Sequence, residues 1–98
     1  MSKTDLSFLT NLEQVINERL TEGAEGSYTA SLAAQGPKRI AQKIGEEGVE
    51  LALAAVAGDR DEVIEESADL LYHVIVMLNS QDIALSEVVN ILEARHNA

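Results

Sequence analysis

Lys43-Ile44-Gly45-Glu46-Glu47-Gly48-Val49-Glu50 is answered sixteen residues on by Glu66-Ser67-Ala68-Asp69, and both pieces sit inside apolar, helix-compatible sequence. A helix of about 3.6 residues per turn advances about 100° per residue. With Ile40 at zero, Ile44, Glu47, Leu51 and Ala54 fall within about 40° of that direction. Glu47 therefore lies in the middle of an apolar stripe. Lys43 and Glu50 stand together at its edge, with Glu46 further round. On the second segment Glu66 and Asp69 share a flank with His73, beside the stripe Val63, Leu70, Val74 and Met77. Carboxylates on half-buried faces must be neutralised, paired or bound to a cation. One nearby lysine does not balance four or five acids, so a divalent metal is the simplest answer.

The surrounding chain reads as helix throughout. Leu6, Leu9, Leu12, Ile16 and Leu20 recur at spacings of three and four, with Phe8 and Val15 alongside, and predict a first helix over residues 4–20. Thr4 or Asp5 is its expected N-cap. Residues 21–26 carry two glycines and read as a loop. Ser27 caps a short helix stopped at Gly36, and Pro37 suits the first turn of the next, which runs to Ala57 and ends at Gly58. Asp59 or Asp61 caps a third long segment reaching Asn79; residues 80–82 turn the chain, and a last helix covers 85–96. No strand pattern, repeat or low-complexity segment interrupts this. The expected fold class is all-α, a four- to five-helix bundle in a single domain over residues 1–98.

Composition narrows the function. The 98 residues include no cysteine, which excludes disulfides, thiolate chemistry and zinc fingers and fits a cytoplasmic, reducing setting. The first residues lack the apolar run of a signal peptide, and nothing approaches the length of a membrane span. A net charge of −10 argues against nucleic-acid binding and against an anionic membrane surface. An anionic substrate stays compatible with it if metal ions stand between substrate and carboxylates.

Two helices are apolar on more than one face. Val49, Ala52, Leu53 and Val56 lie opposite the Ile40–Leu51 stripe, and the run from Leu70 to Leu78 is nearly continuous. Helices apolar all round are buried all round, and so short a chain cannot surround two of them. The expectation is a homo-oligomer, most simply a homodimer whose subunits complete one bundle.

Acids at helical spacing are usually solvated, and Glu62, Glu65, Glu87 and Glu93 are read that way. Glu47, Glu50, Glu66 and Asp69 differ because they come as Glu-x-x-Glu and Glu-x-x-Asp and interrupt apolar stripes. Oxygen-only ligands point to Mg²⁺, with Mn²⁺ as a substitute, rather than zinc. Mg²⁺ held by carboxylates keeps positions for water and phosphate oxygens, the arrangement for phosphoryl chemistry.

The lysine-led motif Lys43–Glu50, followed by Glu66-Ser67-Ala68-Asp69-Leu70-Leu71-Tyr72-His73, resembles the phosphoribosyl-ATP pyrophosphohydrolases of histidine biosynthesis, within the MazG-like all-α pyrophosphohydrolases. The resemblance extends to Gly26-Ser27-Tyr28-Thr29 and Gly36-Pro37-Lys38-Arg39. It implies hydrolysis of phosphoribosyl-ATP to phosphoribosyl-AMP and pyrophosphate with Mg²⁺, the second step of that pathway. Related enzymes are often fused to a cyclohydrolase for the next step; no such domain is present, so a stand-alone form is expected. The resemblance makes Glu47, Glu50, Glu66 and Asp69 metal ligands, with Glu46 a ligand or the group orienting the attacking water. Lys43 is expected on phosphate as a point charge, and Lys38 and Arg39 on the triphosphate or phosphoribosyl phosphate or simply solvated. Tyr28 is a candidate for stacking near the base or for a structural role. His73 is a candidate partner of a ligand, a general base, or a packed interface residue. Two other classes compete: a house-cleaning nucleoside triphosphate pyrophosphohydrolase of the same superfamily, and a non-enzymatic helical interaction module.

Overall fold

Helix ends in this chain are set by a few residues whose local chemistry leaves little choice. Ser27 Oγ accepts the Ala30 N–H at 3.2 Å and starts one helix. Gly36, at φ 96° and ψ 171°, occupies backbone space that side chains exclude, so the chain can turn and restart at Pro37. Gly58, left-handed at φ 73°, closes that second helix by donating to Ala54 and Ala55 carbonyls. Asp59 then caps the next through Oδ1, accepting from the Glu62 N–H at 3.2 Å.

The computed structural model describes residues 5–23 and 26–97. They form α1 (Phe8–Glu22), α2 (Tyr28–Gln35), α3 (Pro37–Ala57), α4 (Arg60–Ser80) and α5 (Leu85–His96), with no strand among the described residues. The all-α expectation holds, with small shifts at the ends. The first helix continues through Thr21 and Glu22 to a left-handed Gly23, and Thr21 Oγ1 donates to the Asn17 carbonyl at 2.7 Å. It also begins later than expected. Asp5 accepts the Ser7 N–H at 2.9 Å in a turn ahead of the helix instead of capping it. Thr4, the other expected cap, and Ala24 and Glu25 of the expected loop lie outside the described residues.

The tight Gly58–Asp59 connection folds α3 back along α4, and this is the most extensive helix pairing of the chain. α1 and α2 close over one end of the pair. Ile16 of α1, Leu32 of α2, Ile40 of α3, and Ile75 and Val76 of α4 meet there as the buried core. On α3 the expected stripe is the buried one, since Ile40, Glu47 and Ala54 all turn inward. On α4 the burial differs from the expected stripe. Val63, Leu70, Val74 and Met77 are half-buried, whereas His73, Ile75, Val76 and Leu78 are buried. The reason is that α1, α2 and α3 together enclose the C-terminal half of α4 from several sides. Leu6, read as part of the α1 stripe, is exposed instead, as are Phe8 and Val15, read alongside it.

α5 hangs from α4 through a polar hinge. Glu13 Oε2 on α1 accepts both the Asn79 side-chain N–H at 2.8 Å and the Leu85 N–H at 2.7 Å. That carboxylate satisfies a first-turn donor of α5 from across the fold. α5 itself buries no residue within the chain.

Truncating the core should be felt far more than losing a cap. Ile75→Ala, at a position with 0% exposure, is expected to cost about 2–5 kcal/mol of stability, against about 1 kcal/mol for Asp59→Ala. Urea denaturation measures both, and equal losses would place Ile75 outside the core.

Candidate metal centre

Glu47 projects from the middle of α3, where the stripe faces α4, and the antiparallel partner brings Glu66 and Asp69 to the same level. One carboxylate oxygen from each of the three lies within 4.8 Å of the others. The cluster is graded in depth. Glu47 is buried, Glu66 half-buried and Asp69 exposed, so the group opens to solvent on the Asp69 side.

Little positive charge balances these acids. Lys43 Nζ stands 3.8 Å from Glu47 Oε1 and equally far from Glu46 Oε1, too long for a strong ion pair. Glu66 Oε1 is buried and receives no hydrogen bond. Burial, then a hydrogen bond with Glu50, then the charges of Glu50, Glu47 and Glu62 push the Glu66 carboxyl up to about 7. A carboxyl oxygen withdrawn from water with no donor is costly unless a proton or a cation meets it. All the donors are hard oxygens, which suits Mg²⁺ or Mn²⁺. The residues present fit a divalent ion.

Glu50 joins this cluster through Glu66 and lines an adjoining groove of about 390 Å³ with Glu62, Glu66 and Asp59. Glu46 does not join it. Its Oε2 accepts from Gln42 Nε2 at 2.9 Å and its Oε1 faces Lys43, on the half-exposed side of α3. Lys38 and Arg39 sit in the first turn of α3, about 12 Å along the helix axis from Glu47. Neither forms an ion pair among the described residues, and Lys38 borders a groove with Met77 and Gln81.

His73 and Tyr28 meet beside the cluster. Tyr28 Oη lies 2.9 Å from His73 Nε2, while the residue as a whole is 51% exposed. His73 Nδ1 is 2.8 Å from the Asp69 carbonyl oxygen and 3.5 Å from Glu47 Oε1. The Tyr72 ring packs edge-on to the imidazole at 5.2 Å, and its hydroxyl is bonded to that of Thr29.

Sequence reading assigned Glu62 to a solvated face. It lies one turn before Glu66 and adds to the repulsion there, a relation visible in the i, i+4 spacing alone. The Thr29–Tyr72 bond had no such signal, since it joins two helices far apart in the chain.

A family model described as phosphoribosyl-ATP pyrophosphohydrolase matches residues 9–96. The histidine biosynthesis bifunctional protein HisIE of Vibrio cholerae is 54% identical over 94 residues, 96% of this chain and 45% of the relative. Its counterpart in Photobacterium profundum is 58% identical over 92 residues, 94% of this chain and 44% of the relative. The Salmonella typhimurium protein is 54% identical over 89 residues, covering 91% and 44%. The chain thus spans less than half the length of the curated relatives it matches. With nearly its whole length matched, the chain belongs to the phosphoribosyl-ATP pyrophosphohydrolase family.

Proposed function

We propose that this chain hydrolyses phosphoribosyl-ATP to phosphoribosyl-AMP and pyrophosphate, the second step of histidine biosynthesis, as one Mg²⁺-dependent catalytic domain. The observation that carries the reading is the trio Glu47, Glu66 and Asp69 with its unpartnered Glu66 oxygen, in a chain of this family. Glu47, Glu50, Glu66 and Asp69 would hold the ion. Bound there, a divalent ion supplies charge neutralisation for the phosphates and an acidified water.

The remaining roles fall to the chain's own side chains. Glu46, half-exposed and outside the cluster, orients the attacking water and takes its proton on a carboxylate oxygen. Lys43 stands between Glu46 and the cluster, so its ammonium faces phosphate on the same side. Lys38 and Arg39, at the start of α3 and without an ion pair among the described residues, receive the far end of a substrate phosphorylated at both ends. The exposed ring of Tyr28 offers an apolar face to the base, while its hydroxyl is held by His73.

The working unit in this reading is a homodimer in the cytoplasm. Accessible surface is 7108 Å², against about 5,500 Å² for a compact monomer of this mass. The radius of gyration is 14.7 Å, against about 13 Å for a compact chain of this length. The excess is apolar in character. Val49, Leu53 and Val56 on α3, Ile64 on α4, and Val89 and Ile91 on α5 are each at least half exposed. A second copy covering these faces would take this apolar surface out of water. No single helix among the described residues is long and apolar enough to cross a membrane.

Glu47→Gln and Asp69→Asn keep side-chain shape and remove charge. Each is expected to lower pyrophosphate release from phosphoribosyl-ATP by at least about 100-fold, roughly 3 kcal/mol of barrier, with helicity unchanged. Near wild-type turnover of either at saturating Mg²⁺ would remove that residue from the ligand set.

The raised Glu66 carboxyl gives a pH dependence of definite sign. Between about 4.5 and 7 the folded chain holds a proton that the unfolded chain has lost, so metal-free stability falls as pH rises through this window. The metal-free melting temperature should therefore contain a component that is higher at pH 5 than at pH 8 and is absent in Glu66→Gln. Added Mg²⁺ should displace the proton and raise the melting temperature most at pH 8. A wild-type pH profile identical to that of Glu66→Gln would refute this.

Leu53→Asp puts a charge in the middle of the exposed α3 face. In sedimentation it should halve the particle mass at micromolar concentration, because a partner would have to bury that charge unpaired. An intact dimer carrying the aspartate would move the interface elsewhere.

A further inference from the structure

Three helices converge on the ring of His73, and that convergence exceeds what burial requires. The ring is 5% exposed on α4. A carbonyl oxygen only accepts, so the 2.8 Å contact to Asp69 assigns a proton to Nδ1. In the neutral imidazole Nε2 then has only a lone pair, and the Tyr28 hydroxyl of α2 donates to it at 2.9 Å. With its proton given to Asp69, the Nδ1 edge of the ring stands 3.5 Å from Glu47 Oε1 of α3, an electrostatic approach rather than a hydrogen bond. Rotation of the ring is blocked on two sides, by Tyr28 at 5.7 Å and Tyr72 at 5.2 Å, both near perpendicular to it. Tyr72 is in turn tied to Thr29 at the start of α2.

We infer that Tyr28 and His73 form a positioning relay: the Asp69 carbonyl and the Tyr28 hydroxyl fix the tautomer and angle of His73, whose Nδ1 edge orients buried Glu47 electrostatically for metal. The inference rests on the metal-centre reading above and adds residues outside the carboxylate set. Its physical basis is electrostatic and geometric. Glu47 is the deepest of the three clustered acids, and its Oε1 faces only Lys43 and His73 among the described cationic or N–H side chains. A donor held toward Oε1 leaves the other oxygen free to turn toward Glu66 and Asp69. Without that donor the buried carboxylate can rotate among several poses, and binding must then select one of them. Partners that orient a ligand in this way are typically worth about 10–100-fold in metal affinity.

Direct Mn²⁺ binding by calorimetry, with no substrate present, tests the relay. Asparagine places its side-chain N–H near the Nδ1 position of histidine, and glutamine places its own near Nε2. His73→Gln should weaken Mn²⁺ binding about 10-fold or more, while His73→Asn should stay within about 3-fold of wild type. Tyr28→Phe keeps the ring and deletes the hydroxyl, and should weaken Mn²⁺ binding about 3-fold to 10-fold with little change in metal-free melting temperature. It serves as the mild variant should a His73 substitution fail to fold. A purely packing role for His73 would make the Asn and Gln variants bind Mn²⁺ alike, and that outcome overturns the relay. Wild-type affinity in both Tyr28→Phe and His73→Gln overturns it as well. Failure of the metal-centre reading is distinguishable, because the wild-type chain itself would then bind no Mn²⁺.

Discussion

Three carboxylates from two helices held within 4.8 Å, with no strong cationic partner among the described residues, are the constraint to which the rest of the chain answers. Such a group raises the energy of the folded state, through desolvation of Glu47 and Glu66 and through mutual repulsion. A 98-residue chain has a small margin against such a cost. The compensation is local and apolar. Ile40, Ile75 and Val76 pack on one side of the cluster along α3 and α4, and the Gly58–Asp59 connection holds the two helices in register. The acids sit where they do because the hairpin around them is well fixed.

The fold was largely legible because its boundaries are written in residues with one dominant use. Ser27, Gly36, Pro37, Gly58 and Asp59 each occupy the expected cap or turn, and four of the five helices match the expected bounds within a residue. α1 was misplaced at both ends for a physical reason. Leu6 fits the heptad spacing yet precedes the helix, and periodicity alone cannot tell a stripe from a turn beside it. The α4 core was also displaced, since a helix apolar on all sides has no moment to show which side is enclosed first. Which side α1 and α2 cover depends on contacts across the fold, and these have no sequence signal.

The candidate site divides in the same way. Glu47, Glu66 and Asp69 were legible from two short spacings and the stripes they interrupt, because helical geometry converts spacing directly into proximity. Glu46 is adjacent to Glu47 in sequence and was grouped with it. One residue is about 100° on a helix, enough to carry Glu46 to the Gln42 and Lys43 side. Glu62 was set aside as solvated, although its i, i+4 relation to Glu66 was already present. The pairing of Tyr28 with His73 joins positions 45 apart, and only the packing of α2 on the α3–α4 hairpin creates it.

Charge and shape also bear on how a chain of net charge −10 can bind a polyanion. Its bare field repels phosphates, and Lys38, Arg39 and Lys43 are too few and too spread along α3 to reverse that. Two divalent ions would cancel the charge of Glu47, Glu50, Glu66 and Asp69 and leave positions for phosphate oxygens. Metal and substrate must then tighten each other's binding by the same factor, because linkage is reciprocal. The open apolar faces of α3, α4 and α5 point the same way. Apolar surface on this scale calls for cover, and the second copy proposed above would supply it along the hairpin that carries the acids. Exposed Leu53 lines one groove with Glu50 and Glu66, so the proposed interface would border the acids directly.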